Sequence, residues 1–258
     1  MFKHVILFVL LSFGTSSLYA SGELPEITDI HVDPTVIFKT TDPSISMKTA
    51  AWFLASHWRK PTEADLYAPL GRLQATSTVE TFKDGRKIPC IFSDLLTGKD
   101  PQDLYATAME HLNSLETTAN TALGAFAREI VTVLCDAKKL TSLHVQNQEQ
   151  VEIFKQLKRQ GYQIHLTGNY AYPEELRRQH PELFKKCFHG CRLSGDTGHV
   201  KPSPDFFRGI DREKSLFIDT ELRHIPPALK LRACAIPQQN AVAALLHCLK
   251  RNGITLEE

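Results

Sequence analysis

The spacing of apolar positions changes twice along the chain. Ile27-Thr28-Asp29-Ile30-His31-Val32-Asp33 alternates branched apolar with polar residues and then meets Pro34, which predicts a strand that stops at Asp33. Over residues 46–140 the apolar positions recur at helical intervals instead, in segments at 47–58, 64–79, 103–115 and 119–139. Residues 83–86 read as a turn between these segments and residues 96–101 as a loop. Trp52 and Trp58 fall on one helical stripe and are expected to be core residues of this block.

From residue 149 onward strands and helices alternate. An amphipathic helix over 149–160 is closed by Gly161, and a strand over 162–167 ends at Gly168-Asn169. Short helices at 174–180 and 182–187 flank Pro181, and extended segments at 188–194 and 199–200 flank a turn at 195–198. Ser215-Leu216-Phe217-Ile218-Asp219 is a mostly apolar run that ends in an acid, as a buried parallel strand does at its sheet's C-terminal edge. A helix around 226–230, a strand at 233–237 and a closing helix over 240–251, ended by Gly253, complete the series. This order predicts an α/β protein: a Rossmann-like three-layer core around a parallel sheet, with an inserted α-helical cap. The expected divisions are a leader over 1–22, core over 23–45 and 141–258, and cap over 46–140.

The leader is read from its layout. Lys3 and His4 precede an apolar run over residues 5–13, and small or polar residues then lead to Ala20-Ser21-Gly22, as in a secretory signal cut near Ala20 or Gly22. The run is too short to span a bilayer, so no membrane attachment is expected after cleavage, and the mature chain is expected to be secreted or periplasmic. An oxidising space would allow its six cysteines to bridge. Cys187 and Cys191 are close enough for a bridge across a turn; Cys135, Cys234 and Cys248 lie in apolar stretches where a buried thiol is equally compatible. No second close Cys or His pair accompanies Cys187 and Cys191 at zinc-ligand spacing. With 30 basic and 29 acidic side chains the formal charge is +1, which gives no global field for nucleic acid or anionic lipid. Partners must therefore be sought at a site.

Polar groups collect at the predicted strand ends: His31 with Asp33, Thr167 with Asn169, and Asp219 with Thr220 and Glu221. Lys201, in Lys201-Pro202-Ser203-Pro204-Asp205-Phe206-Phe207, cannot continue a helix through its prolines, so its ammonium is expected on a loop, presented to a crevice instead of packed. In a parallel α/β sheet such ends converge. A lysine and an aspartate aimed at one crevice suggest a phosphate and a metal ion. His57, His111, His144 and His165 are read as surface or core residues.

With these motifs the chain resembles the haloacid dehalogenase (HAD) superfamily, mostly magnesium-dependent phosphohydrolases, from about Ile27 to its end and most strongly from Glu149. The family's first motif is a nucleophilic aspartate, a spacer, a second aspartate, a spacer, then Thr or Val. His31-Val32-Asp33-Pro34-Thr35 fits that frame with histidine at the nucleophile position and Asp33 as general acid/base. A frame starting at Asp29 would leave the reacting groups roughly 7 Å up the strand from its end. The resemblance further implies that Thr167, Gly168 and Asn169 bind phosphate, that Lys201 offsets its charge, and that Asp33 and Asp219 hold Mg2+. Thr220 stands where a further acid usually follows Asp219. Imidazole and a hydroxyl in place of carboxylates weaken an octahedral oxygen site for magnesium. Two functions follow: a catalytically impaired pseudoenzyme that binds a small phosphorylated ligand or acts as a scaffold, or an active exported phosphatase working through Asp33, Thr167, Lys201 and Asp219.

Overall fold

The computed structural model describes residues 26–40, 84–85, 90–114, 122–237 and 240–256. The leader and the helices expected at 47–58 and 64–79 lie outside the described residues. Five parallel strands form the central sheet: β1 (Asp29–Val32), β4 (Gln163–Gly168), β5 (Gly190–Leu193), β6 (Ser215–Asp219) and β7 (Arg232–Ala235), in the order β5-β4-β1-β6-β7. The strand first met in the sequence is therefore the middle one. β2 (Phe38–Thr40) and β3 (His144–Gln146) form a separate antiparallel ribbon in which Phe38 faces Gln146 and Thr40 faces His144.

Helices α1 (Pro34–Ile37), α2 (Ile91–Leu96), α3 (Pro101–Ser114), α4 (Ala122–Leu134), α5 (Ala137–Ser142) and α6 (Gln148–Arg159) come first. α7 (Pro173–Gln179), α8 (Pro181–Cys187), α9 (Ser194–Thr197) and α10 (Ala241–Arg251) follow. One face of the sheet contributes Ile30, Val32, Ile164, Leu166, Leu216 and Ile218 to the main core, where they meet Val151, Phe154 and Leu157 of α6 and Leu245 and Leu249 of α10. Alternation sends Phe217 to the other face, where Phe206, Phe207 and Ile225 cover it. That layer is built of 3-10 turns at Pro204–Phe207, Leu222–His224 and Pro227–Leu229. The helix expected around 226–230 is one such turn, closed by Lys230 at φ +50°.

The ribbon carries the chain out of the core at Thr40 and back in at His144, so it brackets α2 to α5. Those helices bury Ile91, Leu95, Leu104, Ala108, Leu112 and Val131 in a cluster of their own. The single helix expected over 119–139 is divided, because Asp136 accepts a hydrogen bond from the Lys139 backbone N–H at 3.0 Å and caps a new helix, α5.

The disulfide is Cys234–Cys248, between β7 and α10, fourteen residues apart in sequence. Cys187 and Cys191, which could have bridged a turn, remain thiols. Cys187 packs in the sheet core beneath α8, whereas the Cys191 sulfur accepts from the Arg177 guanidinium at 2.9 Å. Closing a loop of this length restricts the unfolded chain, so Cys248→Ser is expected to destabilise the protein by about 3 kcal/mol. Urea unfolding of the parent and the variant, without reductant, measures the difference.

Candidate functional site

Register defines the edge of the sheet. Val32 is aligned with Leu166 on one side and Ile218 on the other. The next residue of each strand, Asp33, Thr167 and Asp219, therefore forms a row at the C-terminal edge. His31 lies one row deeper on the same face, aligned with His165 and Phe217. Its ring is stacked between theirs, with centroids 5.0 Å from His165 and 4.7 Å from Phe217. The structure thus brings Asp33 to the edge and leaves His31 inside the sheet.

His31 is neutral there. Burial pushes its pKa down from 6.5 to about 3, and neighbouring His165 pushes the same way against the opposing charge of Asp29. His31 Nδ1 shares a proton with Thr167 Oγ1 at 3.0 Å, and that hydroxyl also reaches the His165 carbonyl at 3.4 Å. The Thr167 hydroxyl is thus turned toward the His31 row of the sheet. Gly168 runs directly beneath Asp33: a Cβ there would collide with Asp33 Oδ2 and Pro34 Cδ. Glycine is required by that approach.

Asp33 begins α1. Its Oδ1 accepts from the Thr35 backbone N–H at 2.8 Å and from the Thr35 hydroxyl, and Pro34 supplies a preset first helical residue. Asn169 fixes the opposite side of the crevice. Its Oδ1 accepts from the Lys201 N–H at 2.7 Å and its Nδ2 donates to the Lys201 carbonyl at 3.1 Å. This clamp turns the lysine inward, so that Lys201 Nζ donates to Asp33 Oδ2 and to Asp219 Oδ2. Asp219 Oδ1 accepts from the Glu221 N–H at 3.0 Å and pairs with His224 Nδ1 at 3.1 Å.

The ammonium expected to be presented on a loop is packed: the Lys201, Asp33 and Asp219 side chains are 2 %, 7 % and 2 % exposed. Burial opposes the lysine's charge, but Asp33 and Asp219 outweigh it and hold the lysine above its ordinary pKa. Burial likewise disfavours the Asp219 anion, and Lys201, helped by Glu221 N–H and His224, holds that carboxyl below its ordinary range. At the mouth of the crevice the Thr35 and Thr220 hydroxyls lie 3.0 Å apart. Thr35 and His224 are the site residues that sequence reasoning passed over; the end of β1 at Val32 would have pointed to Thr35.

The donor set does not suit the magnesium ion that the resemblance implies. Each Asp33 and Asp219 carboxylate oxygen already accepts a hydrogen bond, and the point where the two Oδ2 atoms converge holds an ammonium. Among the described residues, no three His, Cys, Asp or Glu side chains are placed to share a metal ion. A cavity of about 480 Å³ opens nearby, between α2 and the loops that follow β4 and β5. Its Lys99, Glu175, Arg178 and Asp196 are paired within the protein, so Lys201 remains the cation best placed for chemistry at the sheet edge.

No family model and no curated protein matches the sequence. Solved structures do match the fold. A Porphyromonas gingivalis protein assigned to the HAD-like hydrolases is 16 % identical with a TM-score of 0.51, over 87 % of this chain and 98 % of that one. YfnB of Bacillus subtilis, assigned to the HAD hydrolases and solved with magnesium, is 16 % identical with a TM-score of 0.50, over 87 % and 99 %. The chain has the HAD-like fold, a parallel five-stranded sheet flanked by helices.

The position of His31 has a measurable consequence. Its unfolded pKa is near 6.5 and its folded pKa about 3, so below pH 6.5 the unfolded chain binds a proton that the native state refuses. Stability from this group is whole above pH 6.5 and drains away as pH falls toward 3. His31→Phe keeps a ring in the stack and should lose less stability between pH 7 and pH 5 than the parent. His31→Asp, which places a carboxylate between two rings, should cost about 2 kcal/mol or more at pH 7. Urea unfolding at both pH values checks the two variants.

Proposed function

We propose that this chain is an exported HAD-like protein of the phosphohydrolase type with little or no turnover, whose crevice binds a small phosphorylated ligand or serves a scaffold. The observation that carries this reading is Lys201 closed between Asp33 and Asp219. With Asp33 in the edge row, the place of the attacking carboxylate falls to Asp33 instead of His31. The proton-transferring carboxyl two residues on then falls to Thr35, and the acid after Asp219 to Thr220.

The impairment therefore lies in proton transfer more than in attack. A threonine hydroxyl does not titrate near neutral pH and cannot take a proton from water as a carboxylate does. Asp33 would also have to release Lys201 before its Oδ2 could attack, and a phosphorylated ligand would have to draw Lys201 away from one of its two carboxylates. We further propose that residues 46–140 form the inserted cap, entered and left through the β2–β3 ribbon. The Cys234–Cys248 bridge supports export, because such bonds persist in oxidising spaces.

A second reading, slow hydrolysis, is favoured by one observation: Asp33 stands at the sheet edge beside the lysine. An aryl phosphate assay with added magnesium separates the two. The parent is expected to release no more product than Asp33→Asn; parent turnover that Asp33→Asn abolishes would establish the hydrolase. For export, mass spectrometry of the mature protein is expected to find a new N-terminus near Ala20 or Gly22, and an intact Met1 would count against it.

A further inference from the structure

We propose that Lys201 is the resident cation of this crevice, standing in for a divalent ion, so that the site is built to function without metal. The claim concerns metal dependence and holds whether or not the crevice turns over an ester. Two buried carboxylates facing each other need a positive partner, and an isolated buried anion is costly. The Lys201 ammonium meets that need from within the chain, bonded to one oxygen of each. The other two oxygens are satisfied by Thr35, by the Glu221 N–H and by His224.

Three features set this apart from a lysine merely near a metal site. The Lys201 backbone is clamped on both its N–H and its carbonyl by Asn169, which keeps the side chain over the edge. That side chain is 2 % exposed, so the ammonium is given over to its bonds with the two carboxylates and not to water. Beside the two aspartates, where added anionic donors would stand, are the hydroxyls of Thr35 and Thr220, bonded to each other at 3.0 Å. The three charged groups sum to −1, against −2 for the aspartates alone. Magnesium asks for several oxygen donors in octahedral array and gives up its water reluctantly. An ammonium tethered to the chain cannot be chelated away.

The test uses thermal unfolding and calorimetric titration with magnesium chloride, matched against sodium chloride of equal ionic strength. The parent is expected to show no Tm change with magnesium or with chelator and no saturable heat. Lys201→Ala removes the cation and opens its space, so it should lose stability and recover at least about 4 °C in Tm when magnesium is added. A parent that binds and is stabilised by magnesium overturns the proposal, as does a folded Lys201→Ala that ignores it. If Lys201→Ala does not fold, Lys201→Gln, which keeps a neutral hydrogen-bond donor between the two carboxylates, takes its place. Saturable magnesium heat in that variant, absent from the parent, supports the proposal, and a Lys201→Gln that gains none overturns it.

Discussion

A single ammonium buried between two carboxylates joins parts of the chain that are far apart in sequence. Lys201 reaches Asp33, 168 residues earlier, and Asp219, 18 residues later. Breaking such an arrangement from one side leaves uncompensated buried charge, at a cost of about 3–5 kcal/mol. The ends of β1 and β6 and the loop before the Pro204–Phe207 turn are thus held to one geometry. The local details serve that geometry. Gly168 has no side chain because Asp33 lies against its backbone, Pro34 starts α1 so that Asp33 can cap it, and Asn169 holds the lysine's own peptide groups.

Beneath this charged row lies an aromatic one. His165, His31 and Phe217 stack across three adjacent strands, and the Thr167 hydroxyl connects the middle ring to the row above. A histidine in such a place acts as a flat, neutral ring that brings one hydrogen-bonding nitrogen into the sheet. Asp29 stands beyond it, 3.4 Å from His165 Nε2, so the face grades from a partly exposed polar pair through stacked rings to the buried triad.

Much of this was legible in the sequence. The apolar run ending at Asp219, the strand ending at Gly168-Asn169 and the lysine among prolines each stand where the sheet needs them, because burial and proline sterics act locally. The frame of the first motif was not legible. His31-Val32-Asp33-Pro34-Thr35 satisfies the spacing wherever the strand stops, and only the alignment of Val32 with Leu166 and Ile218 shows which residue crowns it. The inward turn of Lys201 depends on Asn169, 32 residues away, and the Cys234–Cys248 pairing on how α10 docks against β7. The β2–β3 ribbon escaped notice for another reason: Phe38-Lys39-Thr40 and His144-Val145-Gln146 are too short to carry a period, and pairing alone makes them strands.

That ribbon also governs how the molecule can vary. Thr40 and His144 are cross-strand neighbours, so everything threaded between them starts and finishes at points about 5 Å apart. To the sheet, the whole excursion is a hairpin turn. Its length can change without altering the spacing of β1 and β4, provided that α4 and α5 still offer the Leu134 carbonyl and the Thr141 hydroxyl to which the Tyr172 and Tyr170 hydroxyls donate. The sheet edge and the inserted segment are in that sense joined through a ribbon only three residues long on either strand.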